Sequence, residues 1–414
     1  MKKSNLLNIR YKRAFIIVSV LLLLLFGLGC SGGGGNKEAS PPTTTPTPPA
    51  TSSDRKIFVA HVFGNKITVF DADDSGNVAP IRSIGSNTEL FTPSGIFVDT
   101  ENNEIFVTNF ENDTITVYRR TDTGDVSPLR FIGGPNTGLF GPVRIFVDTK
   151  NDEIFVVNLV IVPGEDLIEV LSSITVYGMT DEGNVSPRRI IAGPNTGYVI
   201  PVGIFVDLIN EEILVANQAI NNGILVYPRT ANGDVPPLMI LNISDLTDEG
   251  IPFLPTSIYL DTVNNEIFVA NGDDINIPGE ITVYERTDSG DVPPLRIISG
   301  ENTGLFRPLG IFTDAQHDEI FVTNPFDDTV TIYGRTDNGN ITPKRTIEGP
   351  NTELFAPIGI FVDIENDEIF VANGAARITV YRRTDEGNVN PLRTIEGPNT
   401  ELAIPWGIFV AESP

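Results

Sequence analysis

The chain has 414 residues, 40% hydrophobic and 20% charged, enough for a large core and, without a repeat, for two or three ordinary domains. Its formal charge is −26, and the first 30 residues hold five basic side chains and no acidic one, so all 54 acidic residues lie beyond them. So acidic a surface repels phosphate backbones and disfavours docking on anionic lipid through the folded body, which argues against a nucleic-acid partner and is compatible with basic partners, divalent cations or simple solubility.

In chain order, MKKSNLLNIRYKR is a basic head and AFIIVSVLLLLLFGLG (14–29) an apolar run of sixteen residues. That is short for a bilayer span of roughly 20 residues. Small residues and Cys30, the chain's one cysteine, close the run, the layout of a secretory signal over residues 1–29. With one cysteine no intramolecular disulfide can form. GLGC (27–30) resembles the lipobox of bacterial lipoproteins, with Gly27 where that family usually carries Leu. The resemblance implies cleavage before Cys30, lipid on its sulfur and new amino terminus, and, with Ser31 following, the outer membrane in a Gram-negative host. An uncleaved N-terminal anchor is the alternative. Residues 30–53 are a Gly/Pro/Thr-rich tether with nothing to build a core.

From residue 54 one unit recurs, clearest in PIGIFVDIENDEIFVANGAARITVYRRTDEGNVNPLRTIEGPNTEL (357–402). Four β-rich phrases stand in fixed order: A (GIFVD), B (EIFVAN), C (ITVY) and D (PLRTI). Phrase B opens on Ile57, Ile105, Ile154, Ile213, Ile267, Ile320 and Ile369, so its spacings are 48, 49, 59, 54, 53 and 49 residues. Each phrase is short and rich in Ile, Val, Phe, Thr and Tyr, and A and B are apolar at successive positions, as in strands covered on both faces. Polar links such as DTENNE (99–104) read as A–B turns, and TDTGDV or TDEGNV as C–D turns in which Gly supplies a positive φ. No segment beyond the signal holds a helical period.

A four-stranded unit of about 49 residues predicts an all-β, seven-bladed β-propeller over residues 54–414. The first copy begins at B, and the last phrase, PWGIFVAESP (405–414), is an A with no B after it. That C-terminal strand should supply blade 1 with its inner strand and close the ring, sparing it exposed sheet edges. PIGIFVDIENDEIFVANGAARITVY (357–381) resembles the NHL-repeat propellers and the related surface-layer and lactonase-like propellers. The resemblance implies a fold that hosts binding proteins, scaffolds and enzymes alike. Lactonases of this architecture hold a metal with an acidic residue and Asn or Asp at the channel mouth; no blade-unique Glu or Asp maps onto that role here.

In a propeller, A descends beside the axis and B returns, so the end of B lies near the upper face. Six blades place Asn there (Asn109, Asn158, Asn217, Asn271, Asn324, Asn373) and blade 1 places His61. Such a ring could bind a polar ligand or help hold Ca²⁺ or another divalent cation; alternatively, each Asn bonds backbone in its own B–C turn. His61 can titrate or bind metal, but no cluster accompanies it, and His317 in an A–B turn reads as exposed. Carboxylates of the A–B turns (Asp99 with Glu104, Asp363 with Glu368) repeat on the lower face as weak Ca²⁺ collectors or as turn caps. No GxSxG, HExxH, phosphate-loop or dinucleotide motif is present.

The three long spacings predict three enlarged connections on one side of the upper face: 159–173, 242–257 and 271–280. The leading expectation is an exported, monomeric propeller, lipid-anchored to the envelope through its N terminus only, without cofactor, whose upper loops recognise a protein, peptide or glycan. The alternative is a lactonase-like hydrolase or lyase with a metal at the channel mouth.

Overall fold

The computed structural model describes residues 54–413 apart from 62–63, 86–87, 164–167, 220–221, 242–254, 273–278 and 291. The signal segment, Cys30 and the tether lie outside the described residues. Twenty-eight strands form seven four-stranded antiparallel sheets, with two single-turn 3-10 segments at Pro194–Thr196 and Pro398–Thr400. Blade 2 shows the plan: strand A Pro93–Asp99, B Glu104–Asn109, C Thr114–Arg119 and D Arg130–Gly133, hydrogen-bonded in that order.

B strands such as Glu368–Asn373 are buried at every position, because each face of a blade packs against a neighbouring blade. The core is accordingly a set of layers between blades. One joins Phe106, Ile115 and Val117 of blade 2 to Val147, Ile154 and Val156 of blade 3. The layer across the chain's two ends joins Ile57, Val59 and Phe70 to Phe370, Ile378 and Val380.

The ring closes as the repeat requires. Pro405–Glu412 is the inner strand of blade 1, pairing antiparallel with Arg55–His61 in the register Ile57↔Val410 and Val59↔Ile408, with a bulge at His61. Ala411, standing where other A strands carry Asp, lies opposite Lys56.

The C–D turns do more than reverse the chain. In each blade the turn glycine, at φ between +71° and +86°, donates its N–H to strand D of the preceding blade: Gly124 to Ser83, Gly183 to Phe131, Gly387 to Thr346. Gly76 donates to Thr394 and so carries the pattern over the seam. In five blades the Asn or Asp after that glycine caps the turn that follows the preceding strand D, as Asn184 Oδ1 does by accepting from Asn136 N at 2.8 Å. A side chain at these glycines would be held in the left-handed region, where only glycine is unstrained.

One expected loop is largely strand. In blade 3, B runs Glu153–Pro163 and C runs Ile168–Gly178, paired without a break from Gly178↔Glu153 to Ile168↔Pro163. The β-forming residues of 159–163 and 168–173 extend the ladder instead of looping. Of the other two enlarged connections, 242–254 and 273–278 lie outside the described residues.

Removing residues 405–414 strips blade 1 of its inner strand and leaves the Ile57 and Phe361 surfaces bare. The expected loss exceeds about 5 kcal/mol, a large part of an ordinary domain's stability. A thermal melt and dye binding to exposed apolar surface check this; a truncated chain melting where the full chain does would refute closure by this strand.

Candidate functional site: the channel mouth

The inner strands of all seven blades wall a cavity of about 330 Å³ on the ring axis. Its surface is built from the first residues of strand A. Each blade contributes an isoleucine: Ile96, Ile145, Ile204, Ile258, Ile311, Ile360 and Ile408. The residue before it is glycine in five blades, Gly95, Gly203, Gly310, Gly359 and Gly407. The strands converge there: a Cβ on Gly310 would sit 2.7 Å from the Ile358 carbonyl oxygen, and one on Gly359 2.9 Å from that of Trp406. At two blades the position is not glycine. Blade 3 has Arg144 and blade 5 has Ser257, and both line the cavity. Trp406, the chain's one tryptophan, completes the wall from blade 1.

Hydroxyls stitch the strands together around this rim. Ser94 Oγ donates to the Pro142 carbonyl at 2.6 Å and Thr256 Oγ1 to that of Pro308 at 2.7 Å. Arg144 Nη1 donates to the Val143 carbonyl at 3.0 Å. Among the described residues no carboxylate pairs with this guanidinium. Its side chain is half-buried, and desolvation pushes its pKa down from the usual guanidinium value.

The amides of strand B lie elsewhere. Asn109, Asn158, Asn217, Asn271, Asn324 and Asn373 are fully buried, and none lines the cavity. In blade 2, Asn109 Oδ1 accepts from Phe91 N at 3.2 Å and its Nδ2 donates to Thr116 Oγ1 at 3.0 Å. Asn324 and Asn373 repeat the pair of bonds with Phe306 and Thr331, and with Phe355 and Thr379. In these blades and in blade 3 (Phe140 N and Thr175 Oγ1 on Asn158) the amide ties the incoming D–A connection to strand C, whereas Asn217 bonds the D–A connection twice, at Val199 N and the Gly197 carbonyl, and Asn271 bonds strand C at Thr282 Oγ1.

His61 does the same work across the seam. Its Nδ1 lies 3.2 Å from Ala403 N and 3.3 Å from the Ala403 carbonyl oxygen, and its Nε2 lies 2.7 Å from Thr68 Oγ1. Burial lowers its pKa to about 4, against a smaller opposing pull from the Ala403 backbone. His317 is not free in solvent: its Nδ1 lies 2.6 Å from Asp314 Oδ2.

The lower-face acids divide into two jobs. Asp99 Oδ1 accepts from the backbone of Glu101 and Asn102, capping the A–B turn. The Glu that opens strand B is clamped between blades. Glu319 receives Arg345 of its own blade at 2.8 Å and Arg383 of the next at 2.7 Å. Burial acts to raise its pKa, and the bonds and charges of the two arginines outweigh it and hold it below the usual value. Asp363 and Glu368 together receive Arg55 across the seam, at 2.7 and 2.9 Å. Among the described residues no group of three or more His, Cys, Asp or Glu could hold a metal ion.

The residues that sequence reasoning missed are Arg144, Ser257 and Trp406. Their signal was present, as the departures RIFVD and SIYLD from GIFVD and as the WGIFV of the last phrase.

His61→Asn restores the residue of the other six blades and removes the titrating latch. Because the folded state holds His61 neutral down to about pH 4, its contribution is complete above the ordinary histidine pKa near 6.5 and is lost as pH falls from there towards 4. The stability difference between the two proteins should therefore shift in favour of His61→Asn on acidification, by at most about 3 kcal/mol. Urea unfolding of both proteins at pH 7 and pH 4.5 checks it, since all other titrating groups are common to both.

No protein-family model matches the chain, and no curated protein matches it in sequence, so the NHL likeness rests on residues 357–381 alone. Solved structures do match. A periplasmic gluconolactonase of Pseudomonas aeruginosa is 14% identical with a TM-score of 0.61, over 87% of this chain and 99% of that one. A functionally unknown protein of Desulfotomaculum acetoxidans is 14% identical with a TM-score of 0.60, over 87% and 100%. Hydrazine synthase of Kuenenia stuttgartiensis is 13% identical with a TM-score of 0.58, over 78% and 91%. At such identity the likeness is one of fold, and the chain is a seven-bladed propeller with a lactonase among its structural neighbours.

Proposed function

We propose that the chain is a binding propeller that engages a protein, peptide or glycan through its upper face, held at the cell envelope by lipid on Cys30 and the tether of residues 31–53. The observation that carries this reading is the blade 3 hairpin. Its strands are 11 residues long where their blade 2 counterparts have 6. Five extra residues at about 3.3 Å each lift it roughly 17 Å beyond the common height of the blades. A two-stranded ribbon is marginal in water by itself, and a partner surface is what would complete it. The hydrolase alternative needs a proton-transfer group at the reacting centre. The described cavity wall supplies guanidinium, hydroxyl and backbone groups and neither carboxylate nor imidazole, a set that favours binding.

Replacing residues 159–172 by the short turn of blade 2 (110–113) should leave the melting temperature within a few degrees and remove a defined subset of partners captured from envelope extract. An unchanged set of captured partners would overturn the assignment to the hairpin. Anchoring is tested separately: Cys30→Ser should abolish incorporation of labelled fatty acid and move the protein from the membrane fraction to the soluble one, and retention in the membrane would favour the uncleaved anchor.

A further inference from the structure

We infer that the channel mouth is a binding site for a small anion, whose carboxylate or phosphate group is held by the Arg144 guanidinium, with the Ser257 hydroxyl as a second donor. This goes beyond the upper-face reading and does not depend on it. A guanidinium carries five N–H donors. The described structure occupies Arg144 through one bond, to its neighbour's carbonyl. The guanidinium is half-buried, lines the cavity, and no described carboxylate compensates its charge. The lower-face arginines make the contrast: Arg55, Arg229, Arg335 and Arg383 each meet carboxylates.

Position adds a second argument. Arg144 stands at a site that is glycine in five blades, and the other departure, Ser257, is also a hydrogen-bond donor walling the same cavity. Two polar substitutions converge on one lumen whose remaining wall is mostly apolar, its Ser94 and Thr256 hydroxyls being bonded to neighbouring carbonyls. A cavity of about 330 Å³ is at the small end of the range for small-molecule sites. Its guanidinium can grip a planar carboxylate or a phosphate in bidentate fashion, while the isoleucine ring and Trp406 contact an apolar remainder. The acidic exterior, −26 overall, makes the lumen the favourable place for an anion on this molecule.

The single tryptophan gives a direct readout. The full chain is titrated with inorganic phosphate and separately with citrate, at constant ionic strength in chloride, following Trp406 fluorescence and the melting temperature. At least one anion should give a saturable fluorescence change and raise the melting temperature, and glucose neither. Which arm responds separates phosphate from carboxylate. Arg144→Gly restores the residue of five blades, and both it and Arg144→Gln should weaken binding at least about tenfold; Ser257→Gly should weaken it by a smaller factor. The inference is overturned if neither anion gives a saturable response, or if Arg144→Gly and Arg144→Gln bind as the unmodified chain does.

Discussion

A blade of four strands has two open edges, and the ring depends on how each is covered. The outer edge is capped by the next blade: the C–D turn glycine donates its N–H to the preceding strand D, and in five blades the Asn or Asp after it caps the turn that follows that strand. Because this contact also runs from Gly76 to Thr394, no outer edge is left as a template for pairing with another chain. The apolar layers then follow, since a blade docked at its rim has both faces against neighbours. The Glu–Arg clamps of the lower face add a third set of contacts between the same pairs of blades.

The inner edges meet differently. Seven strands converge on one axis, and their approach is close enough that glycine is the residue that fits at the narrowest point in most blades. A side chain there must extend into the lumen or push the strands apart. Arg144 takes the first course, which is why one substitution in an otherwise regular phrase changes the chemistry of the whole channel mouth. The same crowding makes the wall apolar apart from a few hydroxyls, so an introduced charge meets little competition from the rest of the lining.

Repeated polar residues and unrepeated ones serve different ends in this molecule. The Asn of strand B, the Asp of the A–B turn and the Glu that opens strand B recur because every blade has the same orphan backbone groups to satisfy and the same neighbour to grip. His61 fits the rule despite its different chemistry, reaching from blade 1 to Ala403 where an Asn elsewhere reaches its own D–A connection. Candidates chosen for recurring near a face were therefore structural in their observed bonds, and the residues that wall the lumen with new chemistry occur once each.

The strand phrases, their order, the blade number and the closure by residues 405–412 were all legible in the chain, because each rests on local pattern: β-branched runs of strand length, turn glycines and a fixed period. The 159–173 segment was misread as loop because a long spacing signals an insertion without saying whether its halves pair, and pairing depends on a register that only the blade supplies. Likewise the sequence displays RIFVD beside GIFVD but not what lies across from it. That Arg144 faces a lumen shared by seven blades, with Ser257 and Trp406 in the same wall and no described carboxylate for it, is decided by the convergence of strands some 50 to 260 residues apart on one axis, a distance that no local pattern encodes.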